Sequence, residues 1–331
     1  MQQQQRMSAG HGAADIGIQQ PAPATRVSIR DLCSLFCCPP FPSSIVSKLA
    51  FMPPEPSYKI EYDPETKSEP KIHLLENRAE WPHGADELRN VEIFFTRTRR
   101  NNNIACMFIR PCAAAANFTI IFSHGNAVDL GQMCSFYYGL GLQAGLQRVQ
   151  LRLLRLATAA RAAGRRSGIS TRTSRPPLQA LKTRYNINED QVILYGQSIG
   201  TVPSVDLASN NPNIAALVLH SPLLSGLRVA CAGVQRTYCC DAFPSIEKIP
   251  RVQCPTLVIH GTEDDVIDFS HGLTIFENCP SSVEPLWVAG AGHNDVELHS
   301  LYVERLRVFI NNEVPKPKAQ TAAAPTANGA R

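Results

Sequence analysis

Apolar positions follow two rhythms along this chain. Phe118 to Phe122, Val192 to Tyr195, Ala216 to Leu219 and Leu257 to Ile259 are short apolar runs with β-branched members, which suits strands buried on both faces. Helical patterns lie between them, and the last is the clearest. Leu298, Leu301, Tyr302, Leu306 and Phe309 mark one face at i, i+3, i+4 spacing, with Glu297, Glu304 and Arg307 off it. Arg305 falls on that face as an exception; its stem can pack there while the guanidinium reaches water. Val91 to Thr96 and Ile104 to Arg110 form an antiparallel opening pair separated by the polar turn Arg99 to Asn103. Strands alternating with helices predict an α/β domain, a mostly parallel central sheet with helices on both faces.

That domain runs from residue 58 to 313. Residues 1–30 open with Gln2 to Gln5 and continue with Gly, Ala, Pro and polar residues, too poor in apolar surface to order themselves, and 314–331 reads as a disordered tail. Between the extension and the domain, 31–57 begins with three thiols, Cys33, Cys37 and Cys38, set among Leu35, Phe36 and Phe41. Left exposed, such a patch invites aggregation. Cysteines in a short apolar segment near a terminus are sites of reversible palmitoylation, and two or three acyl chains make a stable anchor where one is marginal. The alternative is a small helix tucked against the domain with buried thiols.

A length of 331 residues fits one α/β domain with tails, and 44% hydrophobic with 18% charged residues is ordinary globular composition. No apolar run reaches the ~18 residues of a membrane-spanning helix. The net charge of +4 is lopsided: no acid occurs between Asp129 and Glu189, whereas eight arginines fall between Arg148 and Arg175. The rest of the chain is near neutral, which argues against a nucleic-acid partner. The 11 cysteines lack the paired spacings of a zinc site, and no signal peptide opens the chain, so a reduced, cytosolic protein is expected.

Candidate chemistry gathers past strand ends, where open α/β sheets place their sites. Gly196-Gln197-Ser198-Ile199-Gly200 follows the strand Val192 to Tyr195 and opens a helix through Thr201 to Ser209. This is the context of a nucleophile elbow, whose glycines let strand and helix crowd together while the serine takes a strained turn. A serine needs a base that is itself oriented by a third group. His293 stands in a glycine-rich loop after the strand Glu284 to Val288, and Asp264 at the carboxyl end of the strand Leu257 to Ile259, with Asp265, Asp268 and Glu263 as rivals. The order Ser198, Asp264, His293 is that of α/β-hydrolases. Ser123-His124-Gly125-Asn126-Ala127 is an HG-type loop; the amides of Asn126 or Ala127, with that of Ile199, are the candidate oxyanion donors. His124, His220, His260 and His271 read as structural or pocket-lining. The scheme needs no metal or organic cofactor.

The segments SHGNAVDLG, ILYGQSIGTVPSVDLAS, LHSPLLSG, HGTEDDVIDFSHG and EPLWVAGAGHNDVEL, preceded by LCSLFCCPP and KLAFMPPEPSY, closely resemble the alpha/beta hydrolase domain-containing 17 family of protein depalmitoylases. The match covers roughly residues 29–141 and 178–313. The resemblance implies the α/β-hydrolase fold and a thioesterase that removes palmitate from cysteines of membrane-attached proteins. It also implies self-palmitoylation near the N-terminus, residence on the cytoplasmic face of plasma or endosomal membranes, and a triad on Ser198, Asp264 and His293. Family members carry further cysteines where this chain has Ser34 and Phe41, so Cys33, Cys37 and Cys38 remain for lipidation.

Residues 142–177 depart from the family pattern, which has a central strand rich in Phe and Tyr there; here Leu, Ala, Arg and Gly dominate. Composition flips abruptly at both edges, as a frame-shifted stretch would. The rival is a basic amphipathic helix with Leu142, Leu146, Val149, Leu153 and Leu156 on one face. Read as a strand, the stretch would bury Arg148 and Arg152 at several kcal/mol each. The leading expectation is a serine hydrolase acting on long-chain acyl thioesters through an acyl-enzyme. The alternatives are a generic esterase or peptidase of the same fold and a membrane-tethered, catalytically impaired interaction protein.

Overall fold

The computed structural model describes residues 54–61, 69–84, 86–97, 103–109, 118–143, 149–150, 175–231, 233–234, 236–238 and 241–317. The terminal extension, Cys33, Cys37, Cys38 and most of 142–177 lie outside the described residues. Ten strands are described: β1 Tyr58–Glu61, β2 Lys71–Leu74, β3 Val91–Arg97, β4 Asn103–Ile109, β5 Phe118–Ser123, β6 Val149–Gln150, β7 Val192–Gln197, β8 Ala216–His220, β9 Thr256–Gly261 and β10 Leu286–Val288. The helices are α1 Leu130–Gln143, α2 Arg175–Tyr185, α3 Thr201–Asn210, α4 Gly226–Ala230, α5 Phe269–Asn278 and α6 Ser300–Val308.

The central sheet has the order β10-β9-β8-β7-β5-β6, and every neighbouring pair in it is parallel. β3 and β4 form the antiparallel pair expected from the sequence, with Val91 opposite Ile109. A second pair, β1 with β2, was not expected; its exposed Lys59, Glu61 and Lys71 leave too short an apolar alternation to announce strands.

Successive residues of a strand point to opposite faces, and two apolar clusters follow from that alternation. On one face Ile120, Phe122, Ile193, Tyr195, Val218 and Ile259 pack with Tyr137 of α1 and with Tyr302 and Leu306 of α6. On the other, Ile121, Leu194, Leu217 and Val258 meet Leu181 of α2, Val205 of α3 and Ile275 of α5. Helices therefore cover both faces, which is why the central strands read as continuous apolar runs.

Two expectations are corrected. Leu298 and Leu301 are 58% and 55% exposed, so they do not share the buried face of α6; Tyr302, Leu306, Phe309 and Ile310 supply it, and Glu297 turns inward instead. The reasons are local: Val296–Leu298 is a separate 3-10 turn, which takes Leu298 out of the helical register, and within α6 Leu301 stands about 100° around the axis from Tyr302, on the solvent side. Arg305 packs its stem as expected, over the Phe309 ring, but its guanidinium does not turn out to water: it pairs with Glu313 at 2.9 Å and donates to the Glu284 carbonyl at 2.6 Å. The amphipathic-helix alternative also fails where it is visible, since Val149 and Gln150 are extended and pair with Phe118 and Thr119.

Candidate active site

β7 delivers Ser198. The strand ends at Gln197, Ser198 takes φ of +53°, and Ser198–Gly200 forms a 3-10 turn that runs directly into α3. Left-handed φ is costly for a side-chain-bearing residue, so the surrounding packing has to hold it. Part of the hold is the Thr201 hydroxyl, which donates to the Ser198 carbonyl at 2.7 Å. Close approach supplies the rest: a Cβ on Gly196 would meet the Thr201 Cα at 2.5 Å.

β9 and β10 deliver the other two groups, and their loops are laced together. Thr262 N–H donates to Val288 O at 3.0 Å, and Glu263 N–H to Ala291 O at 2.9 Å. This lacing brings His293 beside Asp264: Nδ1 lies 2.7 Å from Asp264 Oδ2, and Nε2 lies 3.0 Å from Ser198 Oγ. The rivals fall away. Glu263 and Asp265 point to solvent, and Asp268 caps α5, accepting from Ser270 N–H at 2.9 Å.

Asp264 is built for its position. Its other oxygen accepts from the Val266 and Ile267 amides at 2.9 and 2.7 Å, and its side chain is fully buried. Burial alone would push its pKa up; hydrogen bonds from His260 and His293, the nearby His293 and the Ile267 amide outweigh that and hold the carboxyl well below the usual carboxylate range. An ionised carboxylate at Nδ1 fixes the imidazole so that Nε2 faces the hydroxyl as an acceptor. The arrangement can move a proton from Ser198 to His293.

The loop Ser123 to Ala127 lies against the nucleophile turn: a Cβ on Gly125 would contact the Ser198 Cβ at 3.6 Å. Ala127 takes φ of +59°, and Ile199 follows Ser198 within the elbow turn. The structure thus brings Ser198, Asp264 and His293 together and sets Asn126, Ala127 and Ile199 in the loops around them. Among the described residues no group of three or more His, Cys, Asp or Glu is placed to hold a metal ion, and no helix is long and apolar enough to cross a membrane.

Three further features went unread in the sequence. Asp129, at the N-terminus of α1, accepts from Ser57 N–H at 2.7 Å, from the Ser57 hydroxyl, and from Gly131 and Gln132 N–H at 3.0 and 3.1 Å. The spacing Asp129 to Gln132, with Gln132 Oε1 accepting from Asp129 N–H at 3.0 Å, is a capping box and was legible; its partner Ser57, far away along the chain, was not. Behind the serine, Tyr195 OH lies 2.8 Å from Tyr302 OH and 3.2 Å from His220 Nδ1, while His220 Nε2 faces Glu297 at 3.8 Å. Burial pushes His220 down to about 3, helped by the nearby His293 and His260, and pushes Glu297 up. The third feature is His260, beside Asp264 itself.

No protein-family model matches the chain. The Pyrococcus furiosus esterase structure shares the fold at TM-score 0.55 and 14% identity, covering 70% of this chain and 96% of that one. The alpha/beta hydrolase domain-containing protein aho-3 of Caenorhabditis elegans is 57% identical over 299 residues, 87% of this chain and 84% of that protein. Mouse alpha/beta hydrolase domain-containing protein 17C is 49% identical over 333 residues, 89% of this chain and 99% of its own length. With the α/β-hydrolase fold and relatives at this identity over most of both lengths, the chain belongs to the alpha/beta hydrolase domain-containing protein 17 family.

Proposed function

We propose that this hydrolase removes palmitate from S-acylated cysteines of membrane-associated proteins through an acyl-enzyme on Ser198. Ser198 Oγ attacks the acyl carbon as His293 Nε2 takes its proton, and the amides of Ile199 and of Asn126 or Ala127 hold the oxyanion. Collapse expels the cysteine thiol, which leaves with the proton from His293. Water, deprotonated in turn by His293, then frees the fatty acid and restores Ser198. Asp264 stays ionised throughout and orients the imidazole. The observation that carries this reading is the single imidazole bridging Asp264 at 2.7 Å and Ser198 at 3.0 Å.

The substrate half rests on the resemblance of the whole motif series, cysteine segment included, to depalmitoylases. Acylation of Cys33, Cys37 and Cys38 would keep the domain on the cytoplasmic face of plasma or endosomal membranes, where its substrates lie. The test is turnover of an S-palmitoylated peptide by the purified chain, with Ser198→Ala as control. We expect release of palmitate by the parent chain and none by the folded variant. Hydrolysis of short esters without the palmitoyl thioester would point to a generic esterase. A folded chain that neither turns over acyl substrate nor reacts with a fluorophosphonate would be an interaction protein.

A further inference from the structure

His260 is the last residue but one of β9, four residues before Asp264, with no exposed surface. Its Nε2 lies 2.8 Å from the Ile267 carbonyl and 3.2 Å from Asp264 Oδ2. Both neighbours are acceptors, so Nε2 must carry a proton shared between them; a bare Nε2 would set a lone pair against two negative oxygens. Nδ1 has no hydrogen-bond partner among the described residues. It faces Gly272 of α5, where a Cβ would come within 2.3 Å. Nδ1 is therefore a bare, enclosed nitrogen, and a second proton there would be buried without an acceptor.

We propose that His260 is a positioning residue for the acid of the triad: its neutral Nε2–H ties the Asp264 carboxylate to the Ile267 carbonyl and limits how strongly that carboxylate holds His293. This rests on the hydrolase reading above. Asp264 Oδ2 then accepts from two imidazoles at once, at 2.7 Å from His293 and 3.2 Å from His260, while Oδ1 takes the Val266 and Ile267 amides. Four donors converging from the strand end, the turn and the facing loop give the carboxylate one orientation. The same hydrogen bonds from the histidines hold Asp264 low.

The sign of the consequence follows. Removing the His260 donor leaves more negative charge for Nδ1–H of His293 and stabilises the imidazolium, so the base becomes available only at higher pH. Other groups act on these residues: His220 at the end of β8, Asp268 and His271 at the start of α5, and Glu297 on the turn after His293. They are common to all variants compared.

The full chain, His260→Leu and His260→Gln are compared for acyl-thioester hydrolysis over roughly pH 5 to 9, with thermal unfolding recorded on the same samples. We expect the acid limb of kcat/KM in H260L to move up by about half a unit to one unit, with a plateau about 10-fold to 100-fold lower. Gln offers an N–H donor at similar reach, and H260Q should keep the parent limb. A folded H260L whose limb and plateau match the parent overturns the proposal, as does a limb displaced equally in both variants. If H260L does not fold, nitrogen NMR of the parent chain decides: a proton fixed on His260 Nε2 over that range supports the role, and one on Nδ1 overturns it. Fluorophosphonate labelling of Ser198 separates the two levels. An unlabelled parent chain sinks the hydrolase reading, whereas a labelled parent with an unmoved H260L profile sinks the His260 role alone.

Discussion

Gly200 is packed so closely on Ser123 that a Cβ on it would lie 1.9 Å from the Ser123 carbonyl oxygen and 2.8 Å from that of His124. The elbow turn and the loop carrying Asn126 and Ala127 are thus held in register by the absence of one side chain. Both contacting atoms belong to backbone, so neither can rotate away.

Gly200→Ala should therefore separate the serine turn from the oxyanion loop. The expected cost is about 2–4 kcal/mol of stability, from overpacking against backbone, with fluorophosphonate labelling at least about 10-fold slower at temperatures where the variant is folded. Urea unfolding and labelling kinetics on the same preparation check it. Parent-like labelling would mean that the close approach does not shape the site.

The Asp129 clamp predicts a coupled loss. Removing the carboxylate in Asp129→Ala leaves the Ser57 amide and hydroxyl and the Gly131 and Gln132 amides without their acceptor. Cap and charged hydrogen bonds together should cost about 2–4 kcal/mol. Ser57 is fully buried, so Ser57→Ala should cost a smaller share of the same total. The two effects should not add in the double variant, because they break one network. Denaturant unfolding of the two single variants and the double variant tests this; strict additivity would separate Ser57 from the clamp.

How far the sequence disclosed all this depends on the range of each signal. Buried strands declared themselves because both their faces are covered, and Ser198 and His293 did so because glycine-flanked turns are local in sequence. The choice of Asp264 over Asp265 and Asp268 came from the family resemblance and was not legible in composition or spacing. It depends on which carboxylate the turn Asp264 to Ile267 directs inward, and three acids within five positions share one composition. Leu298 and Leu301 misled for a related reason: periodicity cannot register the break that sets Leu298 apart from the helix, nor tell which edge of an apolar stripe, here Leu301, is left in solvent. His260 read as filler because a neighbour that acts through Asp264 has no motif of its own.

The cysteine segment yields a prediction about partition. Changing Cys33, Cys37 and Cys38 together to Ser removes every thiol in LCSLFCC, and with one acyl chain only a marginal anchor and two a stable one, the proposed acylation predicts a graded loss. Single variants should remain largely with the membrane fraction, and the triple variant should move to the soluble fraction. Membrane fractionation with acyl-exchange labelling checks both. Undiminished membrane association of an unlabelled triple variant would remove acylation as the anchor.

His220 predicts how the folded domain responds to acid. The native imidazole titrates near pH 3 because burial opposes its charge, whereas in the unfolded chain it titrates near its ordinary value of 6.5. Between those values the unfolded state binds a proton that the native state refuses, so stability falls as pH drops, by up to about 1.4 kcal/mol per unit. Glu297, raised by burial, acts in the opposite sense: its contribution is present at low pH and lost as pH rises above 4.5. Asp264, held low, loses its contribution only as pH falls below 3.8. A difference measurement isolates the histidine. In His220→Asn the side-chain amide can still meet Tyr195 OH, which lies 3.2 Å from His220 Nδ1 in the parent, but there is nothing left to protonate. The parent should be the more stable chain near pH 7, and its advantage in urea unfolding should shrink steadily toward about pH 4.5. An advantage that grows toward low pH would mean that His220 is charged in the native protein, with Glu297, 3.8 Å from its Nε2, as the counter-charge, and one that stays constant that folding does not change its protonation.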